Sequence, residues 1–524
     1  MKRPVAFLCV LGAPCGLALL NTGVPSQSWW LVAAAPIALY CIYASGVSRF
    51  FPARIAGSAP LRTSVMPRGS RRDADWLLLI RGVACGLVYI AHSVYAFNRG
   101  WVYRHGRWAW ILESPAWLGM VLFFTLSGYL MGKGFYTGKY NLSRSGVSMY
   151  LRNRFLRIFP LMVVAGLFVV LVLGTIWRPS GPGQRPTPQL GVRIVLFGFN
   201  GQAVAVIGPF WSLSTEWQYY LLVPGAFAIA LAASRFFTPT RKVLLPIATL
   251  LVLAVGVMNR NYVWTQHGGY ASYSAYIYPT LFGNIDVFLL GFLANWWVPR
   301  LARFSRVIVA LWPVLLVGIY LAYSFVSHEA LAEFARTGDG KQWFRIHAVV
   351  MPAAVALALI PVIVGCELWN RKARLRTVPQ RKTAFLLFWM GELTYPIYLV
   401  HLGILNGVYL AMPGGNYAAR WALATMLVVL IAWVLHRVVE EPVLKWRMRR
   451  ATRTENAMVP GYAPGGGSTH DQSLLRLSEP DPAHLGAGRV TSTSVIDSLD
   501  PVANGDLGGC VRKPVANSVA PEVV

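Results

Sequence analysis

Acidic residues are scarce in this chain of 524 residues: 20 Asp and Glu stand against 48 Lys and Arg, and charged residues of both signs make up only 13% of it. A net charge of +28 and a pI near 10.3 would suit a nucleic-acid binder. That class needs a charged surface over a modest apolar core, whereas here 56% of residues are hydrophobic and the mean hydropathy is +0.49. No nucleic-acid partner is expected, and a chain that is soluble and globular or disordered throughout is excluded. Cysteine is also sparse. The six, Cys9, Cys15, Cys41, Cys85, Cys366 and Cys510, are scattered without a CxxC, so neither a disulfide framework nor a metal site is implied. HExxH spacing and a Ser-His-Asp order are missing, which weakens metalloenzyme and hydrolase readings. The lack of an internal repeat weakly disfavours a transporter built from duplicated halves.

What the chain has in quantity is apolar runs. A bilayer core of about 30 Å needs roughly 20 apolar residues per helix. Twelve candidates lie near 5 to 20, 29 to 48, 76 to 95, 117 to 132, 158 to 178, 210 to 233, 243 to 258, 280 to 298, 305 to 326, 346 to 366, 384 to 408 and 419 to 439. The first is read as an uncleaved span rather than a signal peptide, because Leu20-Asn21-Thr22-Gly23 offers no small-x-small cleavage site. Lys and Arg concentrate in alternate loops: six each at 49 to 75, 133 to 157 and 367 to 383, against none at 21 to 28 and one at 259 to 279. Cytoplasmic loops retain such an excess, so both termini are expected in the cytoplasm. The segment 190 to 207 is broken by Arg193, Asn200 and Gln202 and reads as re-entrant or interfacial. Residues 451 to 524 are rich in Gly, Pro, Ser and Asp and read as a disordered cytoplasmic tail. The expected organisation is two N-terminal helices and a basic loop over 1 to 75, a membrane domain over 76 to 450, and the tail.

An ionisable side chain inside a span costs about 2.5 kcal/mol or more, so each is a functional candidate. The candidates are Arg81, His92, Glu216, Asp286, Glu392 and His401. Arg81 and His92 are eleven residues apart, which puts them on one helix face about 16 Å apart along the axis. Counted from the cytoplasmic starts of their helices, His92 and His401 both lie about 25 Å deep. Glu216 and Asp286, on helices that start outside, come close to that level. The arithmetic predicts a polar outer chamber of two histidines and two carboxylates with a basic entrance on the cytoplasmic side. A histidine tuned by a carboxylate is suited to general-base chemistry near neutral pH.

The short motifs now fall in order. They are Arg81-x10-His92, Phe123-Phe124-Thr125-Leu126-Ser127-Gly128-Tyr129-Leu130, Arg154-Phe155-Leu156-Arg157-Ile158-Phe159-Pro160, Phe210-Trp211-Ser212-Leu213-Ser214-Thr215-Glu216, Tyr395-Pro396-Ile397-Tyr398-Leu399-Val400-His401 and Val439-Glu440-Glu441-Pro442. Together, over about 76 to 445, they resemble the membrane acyltransferase 3 family, whose members O-acylate cell-surface glycans, glycolipids and some small molecules. The resemblance implies an all-α polytopic fold with a ten-helix core, to which two N-terminal helices are added here. Tyr129 stands where the family pattern usually has Phe, and Glu441 where a basic residue is common.

The resemblance also implies an acyl-CoA donor on the cytoplasmic side, most often acetyl-CoA, with no permanently bound cofactor and no metal. The acceptor would be a hydroxyl of an envelope carbohydrate or glycolipid at or beyond the outer leaflet of the plasma membrane. Arg154 and Arg157, at i and i+3, are suited to clamp phosphate, with Arg81 deeper along the donor's arm. His92 is the expected base, and Glu216 the residue that orients or tunes it. Trp211, Ser212, Ser214 and Asp286 are expected to shape the pocket. Ser127 belongs to it too, as a helix-packing Ser-Gly pair rather than a nucleophile. Tyr395, Tyr398 and His401 form a polar stripe, open between interhelical bonding and a place at the site. Glu392 is expected to be a structural partner for a basic group. Aromatics such as Trp101, Tyr103, Trp108, Trp110, Trp117, Tyr262 and Tyr270 suit either an interfacial belt or sugar stacking. The competing function from another class is a proton-coupled secondary transporter.

Overall fold

A computed structural model describes residues 75–97, 109–111, 115–169, 209–236, 241–267, 273–337, 342–373, 381–413 and 416–447. The two expected N-terminal spans, the segment 190 to 207 and the tail lie outside these residues. Ten long helices order the described chain: α1 Leu77–Phe97, α2 Ala116–Tyr136, α3 Arg144–Phe168, α4 Phe210–Phe236, α5 Arg241–His267, α6 Leu281–Leu301, α7 Ser305–Thr337, α8 Met351–Ala373, α9 Arg381–Ala411 and α10 Tyr417–Leu435. No described residue lies in a strand. Seven segments among the described residues are long and apolar enough to cross a membrane, and Leu77–Ser93 is apolar but shorter. The protein is therefore an all-α, multi-pass membrane protein.

One of the seven, Leu281–Thr337, contains both α6 and α7. Side-chain neighbours show that the chain reverses between them. Trp312 of α7 packs on Trp369 at the C-terminal end of α8, and Tyr323 packs on His347 ahead of its N-terminus, so α7 runs antiparallel to α8. On α6, Asp286 bonds Arg260, which itself reaches Val349 before the start of α8, while Asn295 lies at the level of Tyr129, which bonds Glu367 near the end of α8. α6 is thus parallel to α8. The helix α3 starts at an N-cap, Ser143, whose hydroxyl accepts from the Gly146 N–H at 3.2 Å. It carries four arginines ahead of Pro160, so only its second half has the apolar character of the expected span.

Two features decide how the core helices meet. The first is glycine at the α2–α6 crossing: a Cβ on Gly128 would sit 2.0 Å from the Phe288 carbonyl oxygen, and one on Gly291 would sit 1.9 Å from that of Thr125. Only a residue without a side chain lets the two backbones approach this closely. The second is the register of α1 and α9. Cys85 lies against the Thr394 carbonyl at 3.6 Å, and His92 meets His401, both pairs separated by 309 residues. The two helices therefore run parallel and in step. Exposed apolar side chains such as Leu250, Met258, Val314 and Met426 on α5, α7 and α10 face outward, where a bilayer would cover them.

The structure corrects one boundary with a chemical consequence. The sequence ends the fifth core span at 258 and leaves Arg260 in a loop, but α5 continues to His267 and buries Arg260 completely. Its guanidinium forms a bidentate pair with Asp286 at 2.6 and 2.9 Å, and donates to the carbonyls of Gly283 and Val349. Tyr129 also has a role that a Phe could not fill: its hydroxyl donates to the buried Glu367 carboxylate at 2.8 Å, which pairs with Lys133 as well. Glu441 pairs with Arg437 and Lys445 one turn away on either side.

Candidate active site

A cavity of about 110 Å³ opens among α1, α2, α3, α4 and α9. Its walls are apolar where Met120, Phe123, Phe124, Leu126, Leu130, Met131 and Leu213 line it. Its polar lining consists of Arg81, Arg154, Arg157, Ser127, Glu216, Tyr220, Ser212, Thr394, Tyr395 and Tyr398. Eight residues that the sequence singles out, from five different helices, are thus brought to one space.

The three arginines carry more positive charge than the single carboxylate lining the cavity, Glu216, can balance. Arg154 lies near the rings of Tyr150 and Tyr220, with its guanidinium carbon 5.9 and 6.0 Å from their centroids. Its Nε is buried without a hydrogen-bond partner, and so are both terminal nitrogens of Arg157. The nearest carboxylate to Arg157 is Glu440, at 3.6 Å, beyond a good hydrogen bond. Buried guanidinium donors without acceptors are costly, and an anionic ligand in the cavity would satisfy them.

The carboxylate of Glu216 accepts from the hydroxyls of Ser127 and Tyr220. This differs from the expected partnership with His92, because Glu216 faces into the cavity from α4 while His92 faces α9. It also changes the reading of Ser127: Gly128 makes the close helix crossing, and Ser127 faces the cavity. Ser212 and Tyr398 share a hydrogen bond of 2.7 Å, and the Tyr395 hydroxyl donates to the Ile158 carbonyl at 2.7 Å, tying α9 to α3.

His92 and His401 stand next to Tyr398, whose ring centroid is 5.8 Å from that of His401. The two imidazoles meet through His92 Nδ1 and His401 Nε2 at 2.8 Å. Tyr89 bonds Thr425 at 2.7 Å and Trp421 donates to Ser93 at 3.1 Å, which clamps α1 to α10 on both sides of His92.

Three expected pocket residues are placed elsewhere. Asp286 is held by Arg260 in the buried pair described above. Trp211 packs between Phe124 and Tyr278, behind the cavity wall, and Ser214 is buried on α4 away from the lining. Trp117 and Tyr273 pack around His347, while Trp101, Tyr103, Trp108 and Tyr270 lie outside the described residues. Conversely, Tyr220 is not singled out by the sequence, and Glu440 stands there only within the Val439–Pro442 motif, without a role. Tyr220 follows Glu216 by four residues on the same face, a spacing that identifies it in retrospect. Glu392, His436 and Glu440 bring ligand-type atoms within 4.8 Å of one another. Because Arg157 faces Glu440, this set already has a cation of the protein's own.

A family model described as an acyltransferase domain matches residues 74–437. The acyltransferase MdmB of Streptomyces mycarofaciens is 24% identical over 355 residues, 64% of this chain and 82% of that protein. The O-acetyltransferase OatA of Staphylococcus aureus is 22% identical over 354 residues, 63% of this chain, which spans about half (53%) of the relative's length. No solved structure matches the chain significantly.

Proposed function

The chain belongs to the membrane acyltransferase 3 family, and from that premise we propose that it moves an acyl group from acyl-CoA, with acetyl-CoA the first candidate, to a hydroxyl of an envelope glycan or glycolipid. The observation that carries the donor assignment is the cavity in which Arg81, Arg154 and Arg157 converge, with Arg154 Nε and both terminal nitrogens of Arg157 left without hydrogen-bond partners. The phosphates of coenzyme A would lie at Arg154 and Arg157, and the thioester would extend past Arg81 toward Tyr398. A short apolar acyl chain on the donor suits the walls formed by Met120, Phe123 and Phe124.

In the proposed reaction His92 takes the proton from the acceptor hydroxyl as its oxygen attacks the thioester carbonyl carbon. The new C–O bond forms, the C–S bond breaks, and the thiolate leaves with the proton to become the coenzyme A thiol. Glu216, bonded to Ser127 and Tyr220, fixes hydroxyl dipoles along the cavity wall. The positive-inside count supports cytoplasmic termini in a plasma membrane, with the donor entering from the cytoplasm and the acceptor from outside. Family membership sets the transporter alternative aside.

The test uses purified protein, radiolabelled acetyl-CoA and an envelope extract. Label should move to a glycan or glycolipid fraction with wild-type protein, and His92→Ala should abolish transfer while remaining folded in the membrane. Full activity in His92→Ala would overturn the base assignment, and no transfer from any acyl-CoA would overturn the donor assignment.

A further inference from the structure

The contacts of His401 determine where the hydrogens on both imidazoles must be. Its Nδ1 lies 2.8 Å from the Tyr398 carbonyl oxygen and 3.2 Å from that of Ile397. Carbonyl oxygens only accept, so Nδ1 carries a hydrogen. No described carboxylate bonds either ring, and His401 is only 1% exposed, so an imidazolium there would be a buried, unpaired charge. His401 is therefore the neutral ring with its lone pair on Nε2.

That lone pair faces Nδ1 of His92 at 2.8 Å. The ring planes differ by 14° and the centroids are 5.1 Å apart. With only 2.8 Å between the nitrogens, the two ring radii account for the rest of that separation, so the rings meet edge to edge and nearly coplanar, as a linear N–H···N bond requires. Nδ1 of His92 must supply the hydrogen. Its remaining nitrogen, Nε2, then holds the lone pair, and no described residue bonds it.

We propose that His401 is the positioning residue for transfer: it fixes His92 in the tautomer whose Nε2 accepts the proton of the acceptor hydroxyl. The proposal rests on the reading of His92 as the base. When His92 gains a proton on Nε2, the Nδ1–H···Nε2 bond to His401 stays in place, so the developing positive charge meets an acceptor already oriented toward it. The parallel register of α1 and α9 keeps the two rings at one level, and the bond from the Tyr398 main chain prevents His401 from turning its own hydrogen toward His92.

Two substitutions separate this role from simple packing. His401→Phe keeps a ring but offers no acceptor, and His401→Gln places an amide oxygen where Nε2 stood. Removing a partner that orients a functional imidazole commonly costs about 10- to 100-fold. His401→Phe should lower kcat by that factor with little change in KM for acetyl-CoA, and His401→Gln should recover most of the loss. Nitrogen-15 NMR of histidine-labelled wild-type protein, with His92 assigned by comparison with His92→Gln, should show Nδ1 protonated and Nε2 bare. In His401→Phe, signal should shift toward the Nε2-protonated form. Wild-type kcat in His401→Phe, or a protonated Nε2 on His92 in the wild type, would overturn the proposal. The spectrum of the wild type decides the matter even if His401→Phe does not fold. An inactive His92→Ala beside a fully active His401→Phe would leave the base assignment standing and remove only the positioning role.

Discussion

The Arg260–Asp286 pair gives the sharpest test of how structure divides ionisable residues between stability and chemistry. Replacing Asp286 by Ala removes two charge-assisted hydrogen bonds, of 2.6 and 2.9 Å, and leaves a guanidinium with no exposure facing a void. The carbonyls of Gly283 and Val349 still accept from Arg260, but they do not neutralise it. Breaking a buried pair from one side costs about 3–5 kcal/mol, a large fraction of the stability of most folded proteins. Asp286→Ala should therefore lower both the yield of monodisperse protein in detergent and its thermal unfolding midpoint, with turnover per folded molecule nearly unchanged. The double variant Arg260→Met with Asp286→Leu should recover much of the stability, because replacing both charges by apolar groups of similar volume is often neutral or favourable. The reasoning fails if Asp286→Ala keeps the wild-type midpoint but loses turnover, since that pattern would place the carboxylate in the reaction.

Gly128→Ala should separate α2 from α6, because the new Cβ would lie 2.0 Å from a backbone oxygen that cannot rotate away. Overpacking of this kind costs about 1–3 kcal/mol, and activity should fall with the midpoint as Ser127 moves off Glu216; an unchanged midpoint would contradict the crossing described here. Arg154→Ala should raise KM for acetyl-CoA about 10- to 100-fold with a smaller effect on kcat, the loss of one charge-assisted contact worth about 1.5–3 kcal/mol, and titration calorimetry with coenzyme A provides the check. Asp75 precedes α1 at the surface, where desolvation by the surrounding protein raises its carboxyl against hydrogen bonds from the Leu77 N–H and the Asn370 amide. A raised folded-state value means stability that is present at low pH and lost as pH rises through it. Asp75→Asn, which keeps both bonds, should therefore show a slightly higher unfolding midpoint at pH 7.5, solvent screening keeping the gain small, and lose that advantage as the pH falls below about 4.

Hydropathy and charge alone were enough to identify a multi-pass helical membrane protein, and the order of short motifs along the chain to identify an acyltransferase. Position along a helix was equally legible. Each residue adds a fixed rise, so counting from the ends of two helices that start on the same side put His92 and His401 at one depth. Neighbours were another matter. Which helix faces which, and around what angle, depends on where backbones can approach, and that is decided by contacts such as Gly128 with Phe288 and Gly291 with Thr125. Glu216 and Asp286 looked alike in the sequence, each a lone carboxylate near the outer end of a span. Packing gave Glu216 to Ser127 and Tyr220 in the cavity and gave Asp286 to Arg260, a residue hidden because α5 is longer than its apolar run. The Tyr398 carbonyl that holds the hydrogen on His401 Nδ1 lies one turn back on the same helix, but tertiary structure alone brought His92 Nδ1 against His401 Nε2, and with it the hydrogen on His92, because the tautomer of a histidine follows from the groups its nitrogens meet.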